Sequence, residues 1–306
     1  MVSGRPYRGV IVAFLAPAVL IYTVFLIAPI ADSLRLSLFT QPPGAPLTFV
    51  GLGNYRALFT DPNWSTQFWR ALLNNVEFFC IHMLVQNPIG LALAALLSAR
   101  QLRGRAAYRT LFFMPTMLSV VIIGFIWQLI LSPLWGVARQ ILGLVGLQAL
   151  FQPWLGVEGS ALITISLMSV WQFVGIPMML FYAALLAIPI ELIEAATIDG
   201  ASALQVFLRV KLPLILPTVG IVSILTFVGN FNAFDLVYAV KGALAGPNFS
   251  TDLLGTLFYR TFFGYQLQLG NTTMGTAIAT VMFFIILVGV GFYLFVIQRR
   301  IQRYEL

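Results

Sequence analysis

Long apolar runs alternate with short polar islands along the whole chain. A membrane-spanning helix needs about 20 predominantly apolar residues. Six stretches meet that length, near Val10–Ala31, Phe78–Ser98, Ala107–Leu131, Ala161–Ile188, Leu214–Phe231 and Met274–Ile297. Arg5 and Arg8 precede the first run, as they would in a signal peptide. That run is longer than the roughly 7–15 apolar residues of a cleaved signal, so the pattern predicts a retained first span. Between the runs, residues 32–72 and 232–273 are long, polar and rich in Gly, Pro, Asn and aromatics. Residues 99–106 and 189–213 are shorter and basic or mixed. Residues 132–160 carry Pro133, Trp135, Gly136, Pro153 and Trp154, which suits an interfacial loop with aromatic anchors. The expectation is an all-α membrane protein with six transmembrane helices in one domain, residues 1–306.

Lys and Arg set the orientation, because cytoplasmic loops carry an excess of both. With the N-terminus inside, the cytoplasmic segments hold Arg5, Arg8, Arg100, Arg103, Arg105, Arg109, Arg209, Lys211, Arg299, Arg300 and Arg303. The outer segments hold only Arg35, Arg56, Arg70, Arg139, Lys241 and Arg260 of the 17 basic residues. Both termini are therefore expected in the cytoplasm, together with the polar segment around residues 190–213.

Composition agrees with the hydrophobic pattern. Of 306 residues, 60% are hydrophobic and 9% charged, with mean hydropathy +0.94. Soluble domains carry about 25% charged residues. The net charge of +7 reads as a topology signal and not as a nucleic-acid footprint, given where the cations lie. The single cysteine, Cys80, excludes an internal disulfide framework and a cysteine-based metal cluster. His82, the only histidine, shares its apolar run and reads as a packed or hydrogen-bonded helix residue.

Several chemistries are excluded. A P-loop needs Gly-Lys followed by Ser or Thr, and both lysines, Lys211 and Lys241, follow valine. No HExxH or Gly-x-Ser-x-Gly motif occurs, so neither metalloprotease nor hydrolase chemistry is supported. A proton relay would place ionisable groups inside the spans. Glu77, Asp235 and Asp32 sit near span ends instead, where solvated or hydrogen-bonded helix termini are the plainer reading. The extramembrane segments reach about 40 residues, the lower limit for independent folding, so energy conversion must come from a partner.

Residues 190–213 are the most informative segment. Pro189 ends the fourth run, and Glu191 to Ile198 is helix-favouring with acids early, where the macrodipole welcomes them. Asp199-Gly200 is a turn signal, with Gly free to go left-handed. A second helix is expected from Ala201 to about Val210. It would align Ala201, Leu204, Phe207 and Leu208 on one face as an apolar ridge led by Phe207. Such a ridge suits either a protein partner or a lipid surface.

Glu194-Ala195-Ala196, Asp199-Gly200-Ala201, Phe207, Leu212-Pro213 and Pro217 match the EAA motif, so the chain resembles the permease subunits of ABC importers. Pro17, Pro29, residues Phe49 to Tyr55, Trp171, Ala187-Ile188-Pro189 and Phe234 to Tyr238 extend the resemblance to the carbohydrate-uptake branch. They are more similar to the maltose-type F partner than to the G partner. The resemblance implies the type I importer fold in a prokaryotic inner membrane, with residues 190–213 as a coupling helix. Glu194, Ala195, Ala196, Asp199, Gly200, Ala201, Leu204, Phe207 and Leu208 would meet the ATPase. It further implies a second homologous permease, two ATPase copies holding ATP and Mg, and an extracytoplasmic solute-binding protein. No cofactor, metal or catalytic residue is expected in this chain, and no nucleic acid; lipid surrounds it.

Polar residues within spans are expensive and point to function. The fifth run ends Thr226-Phe227-Val228-Gly229-Asn230-Phe231-Asn232, the fourth carries Trp171-Gln172-Phe173 and Gly175-Ile176-Pro177, and the third Pro115-Thr116 and, further on, Trp127-Gln128. The maltose-type resemblance implies sugar contacts at Thr116, Gln172, Phe173, Ile176, Thr226, Gly229 and Asn230. Ile176 and Gly229 stand where that permease has aromatics, which argues against maltose itself as cargo and leaves open that the partner permease holds the sugar. Interhelical packing is the competing role for each of the seven residues. A di- or oligosaccharide is the expected cargo. Glycerol phosphate or a polyol is the nearest alternative, and a gradient-driven carrier acting alone is the alternative of another class. The scarcity of Lys and Arg within the runs favours an uncharged solute.

Overall fold

The computed structural model describes residues 8–42, 44–99, 102–135, 137–266 and 268–298. Arg5, Arg100, Arg299, Arg300, Arg303 and Gly136, used above, lie outside them. Three unbroken helices are long and apolar enough to cross a membrane: Ile11–Leu36, Pro62–Leu97 and Thr272–Val296. Three bent pairs make the number six if each pair is one span. They are Arg105–Met117 with Val120–Leu131, Glu158–Phe173 with Gly175–Leu186, and Ala203–Leu214 with Leu216–Phe231.

These elements follow the six apolar runs, with instructive departures. The second helix begins at Pro62 and not near Phe78. Its polar first half persists because a distant loop satisfies its side chains. Arg70 Nη1 donates to the Asn248 carbonyl at 2.7 Å, and Asn74 Nδ2 to the carbonyls of Ser250 and Asp252 at 3.1 and 2.8 Å. The third run is not one helix but turns by 98°. A tight turn over Met114–Met117, carrying Pro115, runs into extended backbone at Leu118 and Ser119. The loops are also more helical than expected: Gly53–Thr60, Val137–Leu144, Asp235–Lys241 and Leu254–Phe263 are all helices.

Proline shapes three of the helices in one way. Backbone N–H bonds reach five residues back from Ala28 to Thr23, from Asn87 to His82 and from Leu212 to Phe207. Each donor directly precedes a proline: Pro29, Pro88 and Pro213. Proline has no N–H and its ring collides with the carbonyl four residues earlier. The turn before it therefore widens into a π-wound segment: Thr23–Ile27, His82–Gln86 and Phe207–Lys211.

The chain divides into two compact units, residues 1–65 with 258–281, and residues 66–257 with 282–306. In the first, a two-stranded ribbon pairs Phe39 with Phe49 and Thr40 with Thr48. The Asn54 amide pins it by donating to the carbonyls of Ser37 and Phe39 at 2.8 and 2.7 Å. The Ile11–Leu36 helix keeps its whole apolar window exposed. Such a surface is matched to lipid or to another apolar chain.

The second unit holds two apolar clusters. One gathers Phe78, Ile123, Ile165, Met168 and Leu253, the other Ala94, Met178, Phe181, Leu185 and Ile215. Small residues permit the close approaches that membrane helices use in place of a hydrophobic driving force. A Cβ at Gly90 would lie 3.1 Å from the Met178 nitrogen. At Gly175 it would lie 2.8 Å from the Phe112 carbonyl oxygen and 2.9 Å from Phe113 Cα, so no side chain fits there.

Candidate functional site

A cavity of about 450 Å³ opens within the second unit, between the second, fourth and fifth spans and the helix Asp235–Lys241. Pockets of roughly 300–1,000 Å³ with apolar walls and a few placed polar groups are the usual form of small-molecule sites. Phe78, Phe173, Ile176, Val222 and Leu225 supply apolar wall. His82, Gln86, Ser169, Thr226, Asn230 and Asn232 supply polar groups. Among the described residues, Asp235 is the one acidic residue lining it, and no Lys or Arg does.

Interhelical hydrogen bonds fix the polar wall. Asn87 Nδ2 donates to Thr226 Oγ1 at 3.1 Å, joining the second and fifth spans. Asn75, fully buried, donates to the Asn230 carbonyl at 2.9 Å and accepts from the Leu254 amide at 2.7 Å. His82 Nδ1 lies 2.7 Å from the Phe78 carbonyl, which can only accept, so Nδ1 carries the proton. Its Nε2, 2.9 Å from Ser169 Oγ, therefore accepts the serine hydroxyl and ties the second span to the fourth. Two acceptors in this wall have no hydrogen-bond partner among the described residues: Asn230 Oδ1 and Gln86 Oε1. An unsatisfied buried acceptor costs about 1–3 kcal/mol, so a native fold keeps few of them.

Of the seven residues expected to touch solute, Phe173, Ile176, Thr226, Gly229 and Asn230 line this one cavity. Thr116 and Gln172 are not among the lining residues. They brace the break in the third span instead: Thr116 Oγ1 donates to the Phe113 carbonyl at 2.6 Å and Gln172 Nε2 to the Leu118 carbonyl at 3.3 Å. Asn232, at the polar end of the fifth run, lines the cavity too, as do Gln86, Ser169 and Asp235, which the resemblance did not mark as solute contacts. For Gln86 and Asn87 a signal existed, two amides before a proline inside an apolar run. Asp32, by contrast, pairs with Arg35 at 3.1 Å on the surface.

The polar island forms a second candidate site. Its first helix runs Ile190–Ile198 with Glu191 in the first turn. The Ala201 amide reaches back to the Ala196 carbonyl at 3.0 Å, a closure that needs a left-handed residue, and Gly200 takes φ +82°. The second helix starts at Ala203 and not at Ala201, because Ser202 caps it. Ser202 Oγ accepts from the Gln205 amide while Gln205 Oε1 accepts from the Ser202 amide, a complete capping box. The expected ridge also needs correction. Phe207 is partly buried against the cluster containing Leu185 and Ile215, so it anchors the island and does not lead its exposed face. Leu192, Ile198, Leu204 and Leu208 are exposed large apolar side chains of the island, at 45%, 85%, 66% and 49%. Glu194, Ala195, Asp199 and Gly200 are exposed beside them, with Ala196 and Ala201 half-buried.

A family model described as the binding-protein-dependent transport system inner membrane component matches residues 86–303. The chain belongs to that family. It is an ABC transporter permease, a transport component. Among its relatives is the arabinooligosaccharides transport system permease protein AraP of Bacillus subtilis (strain 168), 32% identical over 90% of this chain and 84% of that one. Another is the lactose transport system permease protein LacF of Rhizobium radiobacter, 33% identical over 83% of each chain. A bacterial ABC transporter involved in import of the acidic polysaccharide alginate has a chain that superposes with TM-score 0.80 over 95% of both chains. At 24% identity, that likeness speaks to the fold alone.

Proposed function

We propose that this permease carries an uncharged di- or oligosaccharide, delivered by an extracytoplasmic binding protein, across the inner membrane of a prokaryote. In this reading a second homologous permease completes the path. Two copies of an ATPase, holding ATP and Mg, grip residues 190–213 from the cytoplasm, where both chain termini also lie. The observation that carries the reading is the cavity wall. It offers amides, hydroxyls and aromatic surface from Gln86, Asn230, Ser169, Thr226, Phe78 and Phe173, with Asp235 the one acidic residue among those described. Neutral sugars present hydroxyls to amides and ring faces to aromatics. A phosphate ester or a uronate would meet a carboxylate there and no cation to pair with it, and anions bind where Arg or Lys can make charge-assisted hydrogen bonds. The names of the arabinooligosaccharide and lactose relatives support the same class.

Drive comes through the island. Phe207 packs on the cluster that includes Leu185 and Ile215, so a push on the exposed leucines passes into the fourth and fifth spans. Rocking of those spans around the cavity then exposes it to one side at a time.

The test is uptake by the reconstituted transporter, with both permeases, the ATPase and the binding protein. The panel is radiolabelled lactose and arabino-oligosaccharides, with glycerol phosphate and an alginate oligosaccharide as charged controls. Uptake of a neutral sugar that requires ATP is expected. Uptake of a charged control alone, or gradient-driven uptake by the isolated chain, overturns the proposal. Asn230→Leu should reduce neutral-sugar uptake about fivefold or more, the cost of roughly one hydrogen bond, while the complex still assembles. Unchanged uptake would remove Asn230 from the path.

A further inference from the structure

The geometry points to a cargo-recognition subsite on the second span, centred on the Gln86 amide and flanked by Ser169, that takes a hydroxyl of the transported sugar. This rests on the sugar-importer reading above. None of the contacts implied by the maltose-type resemblance lies on the second span, so the assignment adds a wall to the cavity rather than restating one.

Pro88 shapes this wall. Having no N–H, it forces the widened turn His82–Gln86, in which the Asn87 amide bonds back to the His82 carbonyl. His82 and Gln86, four residues apart, both line the cavity. Widened turns of this kind are frequent at functional sites, where the lost helix regularity re-aims side chains.

The surroundings of Gln86 are already committed. His82 is taken by the Phe78 carbonyl and by Ser169. Asn87 is taken by Thr226, and Thr226 in turn by the Val222 carbonyl. Ser169 gives its one proton to His82 and keeps lone pairs for an incoming donor. Gln86 alone in this group holds a buried acceptor, Oε1, with no partner among the described residues, on a side chain only 6% exposed. The terminal torsion of a glutamine is soft, so the amide can swing its oxygen toward an entering hydroxyl without disturbing the helix. What the amide oxygen and the serine lone pairs both lack is an O–H or N–H donor. A sugar hydroxyl supplies it, and a phosphate or carboxylate oxygen does not.

Gln86→Met tests this in the complete transporter, because Met keeps the length and bulk of Gln and removes the amide. If Gln86 only packs, deleting an unsatisfied acceptor leaves uptake unchanged and thermal stability equal or higher. If it binds cargo, stability holds while maximal uptake falls about fivefold at saturating loaded binding protein. The second readout is discrimination. Wild type should carry lactose faster than at least one of its mono-deoxy analogues, each presented on binding protein, and Gln86→Met should carry that pair alike. Should the Met variant fail to assemble, Gln86→Asn, with the amide at shorter reach, should show the same discrimination reduced. Discrimination undiminished from wild type in the variant that assembles overturns the subsite. Normal wild-type lactose uptake with that result leaves the sugar reading standing. Failure of wild type to carry any neutral sugar overturns both.

Discussion

The same proline device occurs in two places with opposite surroundings. The widened turn His82–Gln86 before Pro88 is sunk in the cavity wall, where His82, Gln86 and Asn87 are all buried. The widened turn Phe207–Lys211 before Pro213 lies at the surface, with Leu208 and Arg209 exposed. One backbone solution therefore stands in two settings, and burial decides what each is suited to recognise. In the wall, polar atoms withdrawn from water are worth most to a small hydroxylated solute that can complete their hydrogen bonds. On the island, an apolar face with polar edges is worth most to a macromolecule that can cover it. The two regions also differ in construction. The cavity region is held by backbone approaching backbone, whereas the island is held by turn chemistry and by the apolar side chains of Val206, Phe207 and Leu212 turned inward.

The largest effect expected on folding comes from adding a single methyl group at Gly175, a close backbone approach beside the cavity. Gly175→Ala places a Cβ 2.8 Å from the Phe112 carbonyl oxygen and 2.9 Å from Phe113 Cα, atoms of backbone that cannot swing aside. Overpacking of this sort costs about 3 kcal/mol. The thermal midpoint of the purified permease in detergent should drop accordingly. Gly200 is the control on the island, because nothing lies within 4 Å of a Cβ there and only its φ of +82° opposes a side chain. Gly200→Ala should cost about 1 kcal/mol. Equal losses at the two glycines would break the contrast between the regions.

This contrast also explains what could be read from residues alone. The island was legible because its signals are local. Asp199-Gly200 announces the turn, Pro189 and Pro213 bound it, and acids and bases sit at the ends that the helix dipole prefers. The misplacement of Phe207 is a matter of tertiary contact, since a helical face pattern marks which residues align but not which side meets the core. The six spans were legible for the same local reason, except where distant partners decide. The polar start of the second helix depends on carbonyls of Asn248, Ser250 and Asp252, some 175 residues away along the chain. The cavity was legible in part. Thr226, Gly229 and Asn230 stand in one apolar run and declare themselves by polarity or size. Ser169 reaches the cavity wall through a partner in another span, His82, which no spacing along the chain could reveal.

A middle-sized effect should separate local capping from packing. Ser202 and Gln205 satisfy each other's backbone amides at the start of the second island helix. Ser202→Ala removes one half of that exchange, a loss of about 1 kcal/mol. The island is exposed here, so the deficit should appear as faster amide hydrogen exchange over residues 203–206, with the spans unchanged. Ser202→Asp, which caps equally well, should restore protection. Exchange that spreads into the fifth span would mean the island is not held locally.

The smallest effect on folding should come from the exposed leucines, and there the contrast is sharpest. Leu204 and Leu208 contribute little to the packing of this chain, so Leu204→Gln with Leu208→Gln should change its stability by no more than about 0.5 kcal/mol. If the island is a docking ridge, the pair should nonetheless lose ATPase association in detergent and ATP-driven uptake in vesicles, because the apolar face that the partner would cover is gone. The cavity should be untouched, so binding-protein docking is expected to persist. A lipid-resting helix predicts a different pattern: ATPase association intact and only the island's membrane protection reduced. Retained association in a stable Leu204→Gln, Leu208→Gln variant would therefore move the coupling contact off this ridge. The neighbouring acids, with Glu194 and Ala195 of the first island helix, also exposed, would then be the surface left to carry it.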